Sequence, residues 1–204
     1  MKENVETFKI ITLGDSGVGR TAIVKRYVQG TFEEEYISTV GTDFFYKEVK
    51  LKDGTKIKLK LIDTAGQEKY RAISKSYYKN AQGILFIFAY DNKDSFEHMQ
   101  MWLNSCKDNI SIIENIPIFL IGNKYDVENK QIKDNLIENL EKRNGIEEYI
   151  KTSAKKNIGI EELFNKLAEK VYEQNKKDIK PKQKNAMLFK DKGQKRKKKC
   201  CADM

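Results

Sequence analysis

The sequence predicts an α/β fold. The expected architecture is a six-stranded, mostly parallel sheet with one antiparallel strand and helices on both faces. Three observations carry this reading. Short apolar runs alternate with segments of helical periodicity along most of the chain. Gly83–Tyr90 is almost wholly apolar, as a central parallel strand buried on both faces should be. A glycine-rich segment, Gly14–Thr21, lies between an apolar run and a helical pattern, the setting in which a backbone loop meets an anion.

Taken in order, Phe8–Leu13 reads as a buried strand and Arg20–Gln29 as the first helix. Thr31–Thr42 is a polar connector. Phe44–Leu51 and Lys56–Ile62 form a hairpin around Lys52-Asp53-Gly54-Thr55. In its second arm Ile57, Leu59 and Leu61 alternate with Lys56, Lys58 and Lys60, so one face is buried and one is wet. After Gly83–Tyr90 come a helix over Asp94–Ile110, a short buried strand over Pro117–Gly122 and a helix over Gln131–Asn144 stopped by Gly145. Tyr149–Thr152 is a short edge strand, and Glu161–Tyr172 is the last helix.

The glycines of Gly14-Asp15-Ser16-Gly17-Val18-Gly19-Arg20-Thr21 let the backbone turn sharply and approach a phosphate. Loop N–H groups and the positive end of the following helix then converge on one point. Thr21 can offer its hydroxyl to a Mg²⁺ ion that also holds phosphate oxygens. Position 20 departs from the usual lysine. Arginine keeps the positive charge but presents a longer planar fork. Two readings follow: a working phosphate clamp, or a catalytically impaired binding module.

Further candidates fall on the same sheet edge, at the carboxyl ends of strands where such folds bind ligands. Asp63-Thr64-Ala65-Gly66-Gln67 follows one strand. Its Asp63 can reach the second shell of Mg²⁺, and Gly66 can present a backbone N–H to a γ-phosphate. Asn123-Lys124-Tyr125-Asp126 follows another. A carboxylate there can accept from guanine N1–H and the 2-amino group, for which adenine has no matching pair of donors. Thr152-Ser153-Ala154-Lys155 can offer a backbone N–H to guanine O6.

Composition bounds the function. The 204 residues suffice for one full-sized domain and a tail. Residues 175–204 hold 12 of the 39 basic and 3 of the 30 acidic side chains, so the body is neutral and the tail strongly basic. Such a tail seeks an anionic surface. Three cysteines, two of them adjacent, make no disulfide framework and fit a reducing compartment. The first residues lack a signal-peptide core, and the longest apolar run, Ile84–Ala89, is too short to span a bilayer. Nucleic-acid binding through the basic run is disfavoured because Phe189 is the only aromatic near it.

With these motifs assembled, residues 7–174 resemble a small GTPase of the Ras superfamily, and within it the Rab family. Val40-Gly41-Thr42-Asp43-Phe44, Lys69-Tyr70-Arg71-Ala72-Ile73-Ser74 and Tyr77-Tyr78-Lys79-Asn80-Ala81 look like Rab signatures. Tyr36-Ile37-Ser38-Thr39 has the look of secretory-pathway Rabs. Ile62 stands where Rabs usually carry Trp, and Phe88-Ala89-Tyr90-Asp91 approximates another signature.

The resemblance implies a P-loop small-GTPase fold over residues 1–174, with GTP or GDP as ligand and Mg²⁺ as cofactor. Asp15, Ser16, Gly17, Val18, Gly19, Arg20, Thr21 and Ala22 would cradle the phosphates, with Tyr36 and Gly66 beside them. Thr21 and Thr39 would bind Mg²⁺, with Asp63 behind. Phe32 would stack near the guanine; Asn123, Lys124 and Asp126 would read it; Ser153, Ala154 and Lys155 would complete its pocket. Gln67 would orient the attacking water, in slow hydrolysis accelerated by a partner. Loss of the γ-phosphate would release the loops around Thr39 and Gly66. Effectors would read those loops together with exposed Ile37, Phe44, Phe45 and Tyr78.

Residues 175–204 read as a disordered basic tail. Its last four residues formally fit a prenylation box whose Met204 suggests farnesyl, but Asp203 puts a charge where an aliphatic residue is expected. The pair Cys200-Cys201 instead resembles Rab endings that carry two geranylgeranyl groups. Two lipids, or one plus Lys195–Lys199, would hold the protein on the cytoplasmic face of an intracellular or plasma membrane, with a cytosolic pool. The partners implied are effectors, an exchange factor, a GTPase-activating protein and a prenyl-carrier protein; no nucleic acid is expected. The single histidine, His98, and Trp102 and Cys106 on the same helix read as packing or surface residues.

Overall fold

The computed structural model describes residues 5–34, 42–64, 78–110 and 115–194, with backbone alone for Thr64 and residues 178–194. The elements are β1 Glu6–Leu13, α1 Arg20–Gln29, β2 Thr42–Lys50, β3 Lys56–Thr64, β4 Gly83–Ala89, α2 Lys93–Glu97, α3 Met99–Asn109, β5 Ile118–Asn123, α4 Asp134–Asn144, β6 Glu148–Lys151 and α5 Ile160–Gln194. The sheet has six strands in the order β2-β3-β1-β4-β5-β6. β2 pairs antiparallel with β3, and the other pairs are parallel. The fold class expected from the sequence is the one observed.

Period-two alternation sorts the core onto the two faces of the sheet. Along β4, Leu85, Ile87 and Ala89 point to one face, and Ile84, Phe86 and Phe88 to the other. The first face is covered by α1 through Ile23, Val24 and Tyr27, and by α5 through Leu163, Phe164, Leu167 and Val171. The second is covered by α3 through Met99, Trp102, Leu103 and Cys106, and by α4 through Ile137. The Tyr27 and Phe164 rings stack at 3.9 Å and 14°, tying the first helix to the last. Burial pushes the Cys106 thiol up to about 12, so it behaves as a small core side chain.

Several boundaries differ from the sequence expectation. β3 continues two residues to Thr64, so Asp63 is held within the sheet opposite Thr12. The helix expected over 94–110 is two helices that meet at His98, whose N–H turns back to the Asp94 carbonyl. α4 starts at Asp134 rather than Gln131. α5 does not end at Tyr172 but runs to Gln194. Among the residues whose side chains are described, the last that it packs against the core is Tyr172; the segment beyond includes Pro181, a poor helix former, so propensity alone does not account for the extension. Tyr78, expected to be exposed, is buried among the second-face residues, and Phe45 packs partly against the first-face core. Phe44 is exposed as expected, and Tyr46 beside it is equally exposed.

The packing generates a contrast. Phe164→Ala should cost about 3–5 kcal/mol of unfolding free energy, because it removes a fully buried ring and opens a cavity against Tyr27. Phe44→Ala, on the exposed edge strand, should stay within about 0.5 kcal/mol. Denaturant titration of both variants checks this.

Candidate functional site

The loop after β1 is held by contacts that no side chain larger than hydrogen permits. Gly14 has φ +144°, and a Cβ there would lie 2.1 Å from the Ile87 carbonyl oxygen on β4. Gly19 has φ +92°, and a Cβ there would lie 2.4 Å from Asn123 Nδ2 on β5. The loop is thus pressed against the ends of two neighbouring strands, and it opens directly into α1 at Arg20. That arrangement aims N–H groups and the helix's positive end into one cleft.

The cleft has a volume of about 570 Å³, the scale of a small-molecule site. Gly17, Gly19, Arg20, Thr21 and Ala22 form one wall. Phe32 closes a second side, Asn123, Lys124 and Asp126 a third, and Ala154 and Lys155 a fourth. Four sequence-distant segments singled out above therefore meet. Glu33 and Glu34 also line the cleft, and the sequence reading did not name them. Tyr36, Thr39, Gly66, Gln67, Cys200 and Cys201 lie outside the described residues, as do Ile37 and Tyr77.

Asn123 is buried, and its amide joins loops rather than standing open to a ligand. Its Nδ2 donates to the Val18 carbonyl at 2.8 Å. Its Oδ1 accepts from Thr152 Oγ1 at 3.2 Å and from the Ala154 N–H at 3.3 Å. One side chain thereby fixes the phosphate-loop candidate to the 152–155 loop. Asp126 is oriented by Ser153, whose Oγ donates to Asp126 Oδ1 at 2.6 Å and accepts from the Lys156 N–H at 2.9 Å. Ser153 itself lies buried beneath the cleft. Lys124 adopts a left-handed φ of 58° and pairs with Asp91 at 2.9 Å.

At the phosphate end Thr21 Oγ1 donates to Asp63 Oδ2 at 2.5 Å. Asp63 is fully buried, and desolvation raises its pKa against the opposing influence of the Thr21 hydrogen bond and the Arg20 charge. A hydroxyl and a desolvated carboxylate are hard oxygen donors of the kind Mg²⁺ takes, so the residues fit that ion. Arg20 is buried too, with its charge felt at Asp63.

Asp15 behaves differently from its neighbours. Its carboxylate accepts from Trp102 Nε1 at 2.8 Å and meets His98 Nδ1 at 2.6 Å. A carboxylate accepts, so the ring's Nδ1 carries the hydrogen. Asp15 does not line the cleft; it anchors the loop to the junction of α2 and α3. From the sequence, His98 and Trp102 read only as packing or surface residues. Their spacing of four was the available signal, since it stacks them on one helix face. Nothing in the sequence said what that face meets.

The anchor can be measured. Trp102→Phe removes one of two donors to a buried carboxylate and should lower unfolding free energy by about 1–3 kcal/mol. His98→Ala should cost less, because that ring is partly exposed. Chemical denaturation gives both values, and equal stability of parent and Trp102→Phe would contradict the anchor.

Comparison with known proteins places the chain in a family. Residues 9–173 match the Ras family. Ras-related protein Rab-13 of Mesocricetus auratus is 39% identical over 162 residues, 79% of this chain and 78% of that protein. Ras-related protein Rab-10 of Diplobatis ommata is 38% identical over 197 residues, 96% of each chain. Ras-related protein Rab-15 of Homo sapiens is 36% identical over 173 residues, 84% of this chain and 80% of that protein. On the match of residues 9–173 and on these identities, the chain belongs to the Rab family of small GTPases.

Proposed function

We propose that this protein is a GTP-binding switch that cycles between GTP and GDP forms, hydrolyses GTP slowly, and recruits effectors that regulate intracellular vesicle traffic. The observation that carries the reading is the single cleft in which the glycine loop, Phe32, Asp126 and the Ala154-Lys155 pair meet. Loop N–H groups and Arg20 hold the phosphates. Asp126, oriented by Ser153, reads the guanine edge, and Phe32 and Lys155 flank the ring. Mg²⁺, when bound by Thr21 and Thr39 with Asp63 behind, supplies positive charge against the phosphates. Gln67 orients water for in-line attack, and the protein's work is positioning and electrostatic stabilisation. A GTPase-activating protein accelerates the step, and an exchange factor reloads the site.

Effectors dock on the sheet edge, where half-exposed Phe44 and Tyr46 flank Lys60, whose ammonium lies 4.9 Å from the Phe44 ring centroid and 5.9 Å from that of Tyr46. No helix among the described residues is long and apolar enough to cross a membrane. In our reading the basic tail beyond residue 174, with lipidated Cys200 and Cys201, attaches the protein to the cytoplasmic face of a membrane, and a prenyl-carrier protein maintains the cytosolic pool.

The alternative is a Rab-like binding module impaired by Arg20. The parent should bind GTP with Mg²⁺ and cleave it in a single turnover, and Arg20→Lys should change affinity by less than about tenfold, or about 1.4 kcal/mol. A parent that neither holds nor cleaves GTP, with both restored by Arg20→Lys, establishes the alternative. Separately, Cys200→Ser with Cys201→Ser should move the protein from the membrane to the soluble fraction on cell fractionation. Retention on membranes would contradict the lipid anchor.

A further inference from the structure

We propose that Arg26 is the positioning residue of the guanine pocket: it sets the spacing between Phe32 and the Ala154-Lys155 loop, and so controls how long a guanine nucleotide stays bound. The inference rests on the nucleotide-binding reading above. Arg26 lies in the last turn of α1, outside the glycine loop, and no motif named it.

Its guanidinium reaches one loop of the pocket and the chain that leaves α1 toward Phe32. Nε donates to the Ala154 carbonyl at 2.8 Å, and Nη2 to the Lys155 carbonyl at 3.3 Å. Nη1 donates to the Gly30 carbonyl at 2.7 Å, while the Gly30 N–H returns to the Arg26 carbonyl at 3.1 Å. That reciprocal pair, with Gly30 at φ +74°, fixes the direction in which the chain leaves α1 toward Phe32. The guanidinium carbon then sits 5.8 Å from the centroid of the Phe32 ring.

The far side of the pocket needs such a tie. Ala154 and Lys155 sit on a tight turn closed by mutual backbone bonds between Ser153 and Ile158, each 3.0 Å. Asn123 holds the Ala154 N–H from below, and Arg26 holds the Ala154 carbonyl from the side. With both groups engaged, the turn cannot drift outward without breaking a charge-assisted bond. Among the described residues, the ion pairs at the cleft mouth include Lys155–Glu34 at 2.8 Å and Lys25–Glu33 at 3.0 Å, between exposed or half-exposed side chains. Solvent screens such pairs. Arg26 is half-buried and planar, and N–H groups on three separate nitrogens reach carbonyls on both sides, whereas a lysine carries its three N–H groups on one nitrogen and cannot span both.

The test measures dissociation of GDP and of inosine diphosphate, which lacks the 2-amino group, from the full chain with Mg²⁺. Parent, Arg26→Lys and Arg26→Gln are compared, and the unfolding curve of each is recorded. The expected result is faster GDP release from Arg26→Gln, by about ten- to a hundredfold, with Arg26→Lys between it and the parent. The ratio of inosine to guanosine release rates should fall toward one, because a loosened pocket no longer presses the base edge onto Asp126. GDP release unchanged in both variants overturns the proposal. So does equal acceleration for the two nucleotides that tracks lost stability, which marks a structural role alone. If Arg26→Gln does not fold, Arg26→Lys carries the same two readouts. A parent that releases neither nucleotide because it binds neither overturns the functional reading itself, and the proposal with it.

Discussion

The amide of Asn123 is the interaction on which the rest of the site depends. Buried amides must satisfy their donors and acceptors within the protein, since an unpaired one costs free energy comparable to a lost hydrogen bond. Asn123 does so by bonding Val18, Thr152 and Ala154, which lie 105, 29 and 31 residues away. The glycine loop and the base-side loop are thereby referred to one atom group at the end of β5. Gly19 is part of the same contact, because a Cβ there would displace the amide nitrogen. The left-handed Gly14 against the Ile87 carbonyl completes the wedge from the β4 side. The glycine-loop side and the 152–155 side of the cleft are therefore tied to each other by the protein's own hydrogen bonds, which is what pre-organised binding requires.

Two buried carboxylates lie close to the glycine loop, and their surroundings give them different work. Asp15 is met by ring N–H donors of Trp102 and His98, so its charge is spent on holding the loop to the second helical layer. Asp63 is met by the Thr21 hydroxyl and the field of Arg20, and desolvation still dominates its pKa. Asp15 therefore serves architecture, while Asp63 stands at the cleft beside the Thr21 hydroxyl. The helices deliver both arrangements: α1 carries Arg20, Thr21 and Arg26 along one side of the cleft, and the α2–α3 junction delivers His98 and Trp102 to its back.

Much of this was legible in the sequence for a simple reason. The fold follows from local patterns: period-two alternation in Lys56–Leu61, a continuous apolar run at Gly83–Ala89, and strand-to-helix order around Gly14–Thr21. Each uses neighbours in the chain, so each can be read without coordinates. The site candidates were equally legible because a parallel sheet collects the ends of its strands along one edge. Boundaries were less so. β3 reaches Thr64 because pairing with β2 continues past the apolar residues, and α5 runs on past Tyr172, the last residue it is seen to pack against the core.

The sequence by itself determined the layered sheet and the edge on which the candidate site residues gather. Tertiary structure decided which of those residues face the cleft and which hold it in shape. It turned Asp15 to Trp102 and His98, set the Asn123 amide between two loops, buried Tyr78, and gave Arg26 its three carbonyls. Such roles come from contacts between segments tens of residues apart, so they depend on how the helices settle on the sheet. No period or motif in the chain records that settlement. It is fixed by close packing of the two cores and by the need of every buried polar group for a partner.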